Sequence, residues 1–295
     1  MSTDCLQRFI FDNAAIRGEW VNLQDSWQEV LKRRDYPLAI QHALGEMMGA
    51  TALLAATVKI KGRLVLQVRS EGDVNLMMVE CTSDNTLRAL AQWDGEIADD
   101  ATLAAMTGGG TLAITIEQEG AKQPYQGVVS LHGDTIADTL ETYFENSEQL
   151  STKIWLSANE HNVSGLFIQQ LPSDEQAKLD AEEDWFRISQ LASTITDEEL
   201  LSLEPEVLLH RLFHEEQVRL YEPTGLRFSC TCSRERVEQT IAMLGRDEAD
   251  DILIDAGEIE VACEFCNQHY TFDKVDVAKI FNDTVASVSD PNTLH

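Results

Sequence analysis

The sequence predicts an α+β protein: an N-terminal mixed domain with a largely antiparallel sheet and helices, then a helical linker, then a small C-terminal module. Three observations carry that prediction. Residues 1–172 hold several alternating apolar stretches joined by short turns. Residues 173–229 are acidic and carry repeated helix-start signals. Residues 230–287 begin with a close pair of cysteines and meet a second pair about thirty residues on, leaving 288–295 as a tail.

Within the first domain, Leu38–Lys59 is rich in Ala, Leu and Met and reads as a helix, with Pro37 where a first turn tolerates it. Gly45 and Gly49 inside it mark close packing. No strand precedes them and the G-x-G-x-x-G spacing is absent, so they form no dinucleotide loop. Strands are predicted over Gly62–Arg69 and Asn75–Glu80. Gly108-Gly109-Gly110 opens a strand over Leu112–Glu117. No Gly-Lys-Ser/Thr follows, so these glycines form a turn rather than a phosphate cradle. Gln126–Leu131, Lys153–Ser157 and Val163–Leu171 are further strands, Ile136–Leu150 reads as a helix, and Pro172 closes the domain.

The linker starts with a capping box, Ser173-Asp174-Glu175-Gln176. A second lies at Thr196-Asp197-Glu198-Glu199, and Glu204-Pro205-Glu206 starts a third helix. Between Asp174 and Glu222 there are 14 acidic and 4 basic residues, a local charge of −10. Apolar residues are nevertheless frequent, and Leu208/Leu212 and Leu209/Phe213 are i,i+4 pairs. A segment this acidic and amphipathic depends on its neighbours for stability.

The last module reads as Ser233 capping a helix that runs to Leu244 and stops at Gly245. A helix over Asp247–Leu253 and strands over Ile259–Ala262 and Tyr270–Phe272 follow. Cys230-Thr231-Cys232 and Cys263-Glu264-Phe265-Cys266 account for four of the six cysteines. Zinc takes four thiolates at tetrahedral corners, and two tight turns can present them. Two readings compete on the residues alone: a zinc site, or two local disulfides. A module this small needs a staple, and zinc binding in comparable peptides contributes about 10–16 kcal/mol to folding.

Composition bounds the function. The 295 residues carry 43% hydrophobic and 25% charged side chains, ordinary for a globular chain, with a net charge of −29. That charge repels phosphate backbones, so neither nucleic acid nor anionic membrane is expected as a partner. Met1-Ser2-Thr3-Asp4-Cys5 has neither a basic n-region nor an apolar h-region, and a cytoplasmic setting is expected, where thiols stay reduced. A zinc-ribbon nucleic-acid module shares the ligand pattern, but residues 230–295 carry 14 acidic and 5 basic groups. A dithiol oxidoreductase uses C-x-x-C beside a βαβ unit, and that context is missing. His210 and His214 stand four apart without the His-Glu-x-x-His order, and His269 is superfluous beside four thiolates. Cys5 and Cys81 are isolated and receive no role. No nucleophile elbow and no singled-out carboxylate pair points to an enzyme.

The chain resembles the bacterial redox-regulated heat-shock holdase of thirty-three kilodaltons, the 33 kDa chaperonin family, almost end to end. The resemblance runs through Gly62-Arg63-Leu64-Val65-Leu66-Gln67, Tyr125-Gln126-Gly127-Val128-Val129 and Tyr143–Leu150. It is most specific at Arg211–Glu216, Cys230–Val237 and Cys263–Asn267. It implies a substrate-interaction domain at 1–172, a metastable linker at 173–229 and a zinc redox switch at 230–287. Cys230, Cys232, Cys263 and Cys266 would hold one zinc ion per chain in the reduced, inactive state. Oxidation would join Cys230–Cys232 and Cys263–Cys266, the nearest partners along the chain, and give a zinc-free active holdase under oxidative and heat stress. The resemblance further implies unfolding client proteins as partners, no use of ATP and hand-off to ATP-dependent foldases; homodimerisation on activation stays open.

Overall fold

The computed structural model describes residues 3–58, 61–172 and 178–288. The sequence pattern assigns no element before Pro37, yet β1 (Cys5–Phe11), β2 (Ile16–Leu23) and α1 (Asp25–Leu31) lie there. The buried Asp4 carboxylate organises the entry to α1, accepting from the amides of Gln24, Asp25 and Ser26 at 2.7 Å each. Three orphan donors at a helix start are thereby satisfied. α2 (Leu38–Thr57) is predominantly apolar, and 13 of its 20 residues are buried, as expected of a central rather than a surface helix.

The chain then forms β3 (Gly62–Arg69), β4 (Val74–Thr82), β5 (Thr86–Trp93), α3 (Leu103–Thr107), β6 (Thr111–Gln118) and β7 (Tyr125–Ser130). These strands pair antiparallel in the order β5-β4-β3-β6-β7. The three glycines make the expected turn: Gly108 caps α3 at φ +60, and Gly109 and Gly110 follow at φ +104 and +128. α4 (Ile136–Tyr143) is shorter than the helix expected over Ile136–Leu150. It passes into one π-helical turn, Phe144–Glu148, and stops at Gln149 in the left-handed region at φ +55. β8 (Thr152–Ala158) and β9 (Val163–Gln170) complete a second antiparallel sheet, ordered β1-β2-β9-β8.

α2 lies between the two sheets and shares one core with Leu66 and Val79 from one, and Val21 and Phe167 from the other. The approach to β8 and β9 is close. A Cβ at Gly45 would lie 2.5 Å from the Ala158 Cβ, and one at Gly49 would lie 3.2 Å from Val163. Both glycines are therefore packing residues, as the sequence suggests.

The acidic stretch forms α5 (Lys178–Ala192), α6 (Asp197–Ser202) and α7 (Pro205–Phe213). The Thr196 capping box is complete, with both reciprocal hydrogen bonds made, and Pro205 is at the start of α7. The box expected at Ser173–Gln176 lies outside the described residues. The three helices cover the face of β1, β2 and β9 that points away from α2. There Phe9, Phe11, Trp20 and Ile168 meet Ile188, Leu200, Leu208 and Phe213. β10 (Val218–Leu220) and β11 (Thr224–Gly225) pair with β1, and β12 (Arg227–Phe228) runs parallel to β5. Residues 1–229 accordingly cluster as one unit, and 230–295 as another.

The second unit contains α8 (Arg234–Leu244), α9 (Arg246–Ala256), the hairpin β13 (Ile259–Ala262) and β14 (His269–Phe272), and α10 (Lys274–Val288). α9 extends further at both ends than the helix expected over Asp247–Leu253, and α10 follows where no element was assigned. The core is small, centred on Val237, Ile241, Ala249, Ile259, Phe272 and Val277. The Arg234 guanidinium lies 4.2 Å from the centroid of the Phe272 ring and also bonds Asp276 at 2.8 Å.

Candidate metal centre

Cys230 and Cys232 lie in the irregular chain just ahead of α8, and Ser233 caps that helix by accepting from the Arg236 amide. Cys263 and Cys266 sit on the turn between β13 and β14. Cys263 donates its amide to the Gln268 carbonyl at 2.9 Å, and Asn267 donates to the Cys263 carbonyl at 2.7 Å. Asn267 holds φ +54, a left-handed conformation that asparagine adopts more readily than most residues. The hairpin register, Ala262 opposite His269, closes the turn.

The two segments bring all four Sγ atoms within 4.8 Å of one another. Close contacts run across the pairs: 3.6 Å for Cys230–Cys263 and 3.3 Å for Cys232–Cys266. Zinc–sulfur bonds of about 2.3 Å at tetrahedral angles put sulfurs roughly 3.8 Å apart, so the donor set fits that ion. Among the described residues no other group of three or more His, Cys, Asp or Glu side chains converges in this way.

The electrostatics fit the same reading. Burial raises the Cys266 and Cys263 thiols, against backbone amides that favour their thiolates: Gln268 for the first, Cys266 and Phe265 for the second. Burial also opposes ionisation of Cys230, but the Cys232 amide and the neighbouring thiols outweigh it and bring that group down to about 7. One thiolate thus forms readily, and a cation is what lets the others join it. The Tyr270 hydroxyl donates to the Cys232 sulfur at 3.2 Å, a contact the sequence did not reveal.

The other candidates are elsewhere. His269 turns its Nδ1 to Glu260 at 2.7 Å. His210 on α7 and His214, which caps its end, have ring centroids 6.4 Å apart. Cys5 and Cys81 belong to the first unit. Burial, then the Glu80 charge, pushes the Cys81 thiol up to about 12, and burial raises Cys5 too, so neither is an activated thiol.

Comparison with known proteins agrees along nearly the whole length. A family model described as Hsp33 protein matches residues 4–273. A 33 kDa chaperonin of Nitrosococcus oceani is 51% identical over 282 residues, covering 96% of each chain. Another, of Pseudomonas fluorescens strain SBW25, is 47% identical over 283 residues, covering 95% of this chain and 94% of its own. The crystal structure of the 33 kDa chaperonin of Thermotoga maritima superposes with a TM-score of 0.83 at 22% identity, over 96% of this chain and 99% of that one, and so shares the fold.

Proposed function

The chain belongs to the Hsp33 family, a chaperone family and not an enzyme family, and from that premise we propose that it is an ATP-independent holdase switched by oxidation of Cys230, Cys232, Cys263 and Cys266. The observation that carries the reading is the convergence of these four sulfurs within 4.8 Å at the base of a unit with a small core. When bound, zinc supplies the staple that this core lacks.

Each step belongs to the chain's own sulfurs. One thiolate attacks hydrogen peroxide, an S–O bond forms as O–O breaks, and hydroxide departs. The paired thiolate attacks that sulfur, an S–S bond forms, and a second hydroxide leaves. Two electrons pass from each cysteine pair to peroxide. The bridges proposed are Cys230–Cys232 and Cys263–Cys266, although close sulfur contacts also run across the pairs. Once the unit loosens, closing a loop of a few residues costs about 2 kcal/mol less entropy than closing one of thirty-odd. Cysteines joined in this way no longer offer thiolate ligands.

Loss of the second unit's fold then frees α5–α7, and their apolar faces, with the sheet face beneath, take up unfolding clients. A net charge of −29 keeps the loaded complexes in solution. Clients pass on to ATP-dependent foldases. No helix among the described residues is long and apolar enough to cross a membrane, and the cytoplasm is the proposed setting. The test is metal content and suppression of client aggregation, before and after peroxide. Equal holding by the reduced, zinc-loaded and oxidised forms would sink the switch.

A further inference from the structure

We propose that Tyr270 is a positioning residue for Cys232: its phenol O–H, donated to Sγ, holds that sulfur as a ligand and slows its attack on peroxide. The inference rests on the zinc-switch reading above and adds a residue to it.

Backbone amides serve Cys230, Cys263 and Cys266. The Cys232 sulfur accepts from the Tyr270 hydroxyl at 3.2 Å. Cys232 also lies in irregular chain, whereas Tyr270 is held by a strand. Opposite Val261 in the hairpin, it shares the core-facing side of β14 with fully buried Phe272. The ring packs on the edge of the small core, and its hydroxyl reaches the sulfurs.

A hydrogen bond to a thiolate ties up one of its lone pairs. It fixes the sulfur's direction, and loss of such an outer partner typically costs 10–100-fold in metal affinity. The same lone pairs carry out the oxidation. When Sγ attacks the O–O bond, an S–O bond forms and hydroxide leaves, so the O–H donor must be given up as charge flows to oxygen. The phenol therefore retards this step and strengthens the ligand together.

The test is Tyr270→Phe, which keeps the ring, in the full reduced and zinc-loaded chain. The expected result is zinc transfer to a colorimetric chelator about tenfold faster. Thiol loss under peroxide should also be several-fold faster, with far-UV circular dichroism of the loaded protein unchanged. Should that variant fold poorly, 3-fluorotyrosine at position 270, a stronger donor, should slow both rates. Unchanged rates with either replacement overturn the role of Tyr270 while leaving the switch intact. A wild-type chain that purifies reduced but without zinc overturns the switch itself.

Discussion

Phe11 on β1 and Phe213 on α7 meet edge to face, with ring centroids 5.0 Å apart and planes at 84°. Both are buried, and the contact fastens the last acidic helix to the sheet. Phe213→Ala should weaken that fastening by about 3–4 kcal/mol, the usual cost of removing a buried phenylalanine ring. The expected outcome is faster protease cleavage within residues 178–213 and measurable client holding without oxidant. A digestion pattern identical to wild type would separate helix docking from activity.

Metal removal should divide the molecule. All five tryptophans, Trp20, Trp27, Trp93, Trp155 and Trp185, lie in the first unit. A chelator applied to the reduced protein should therefore lower far-UV helical signal from α8–α10 while the core around Trp27, packed against α2, keeps its emission. Cys263→Ser should act in the same direction, with zinc content well below one per chain by elemental analysis. Full zinc content in that variant would remove Cys263 from the ligand set.

Glu46 on α2 faces Asp138 of α4 and Asp197 of α6, and accepts from the Ile136 amide. Burial, then the two neighbouring carboxylates, lifts its carboxyl to about 7, against the Ile136 hydrogen bond. The folded state holds this proton more tightly than the unfolded chain, whose carboxyl titrates near 4.5. Stability from this group is present in full below that lower value and is lost as pH rises through about 7. Buried Glu19 on β2, also raised to about 7, adds a second contribution of the same sign. Glu46→Gln should stabilise the first unit at pH 8 by on the order of 2 kcal/mol and flatten, without abolishing, the fall in melting temperature between pH 5 and 8. A steeper fall would contradict the assignment.

Peptide mapping after peroxide should find Cys230 joined to Cys232 and Cys263 joined to Cys266. Bridges between Cys230 and Cys263, or Cys232 and Cys266, would mean that the second unit keeps its fold while the sulfurs react, since those pairs are in contact at 3.6 and 3.3 Å in the folded protein.

Much of this was legible in the sequence where the signal is local. The cysteine quartet announces itself through two short spacings, and Gly45 and Gly49 through their place in an apolar run. The β1–β2 hairpin was not legible. Gln7 and Glu19 are polar yet buried, and β2 is covered on both sides by α2 and by α5–α7, so the alternation that marks a strand is lost. The acidic stretch reads as a weakly held linker, but its apolar residues find partners that only the sheet's outer face supplies. The Tyr270–Cys232 bond spans 38 residues and depends on the hairpin register, which no motif encodes.

The two-residue strand β12 leaves the acidic helices moored at both ends. β9 fixes the chain ahead of α5, and behind α7 the Arg227 and Ser229 amides donate to the Asn85 and Leu87 carbonyls at 3.1 and 3.0 Å. Helices that peel away between such anchors form a bight rather than a loose tail. Their way home is short and in register, so the covered state can be regained without any search by a wandering end.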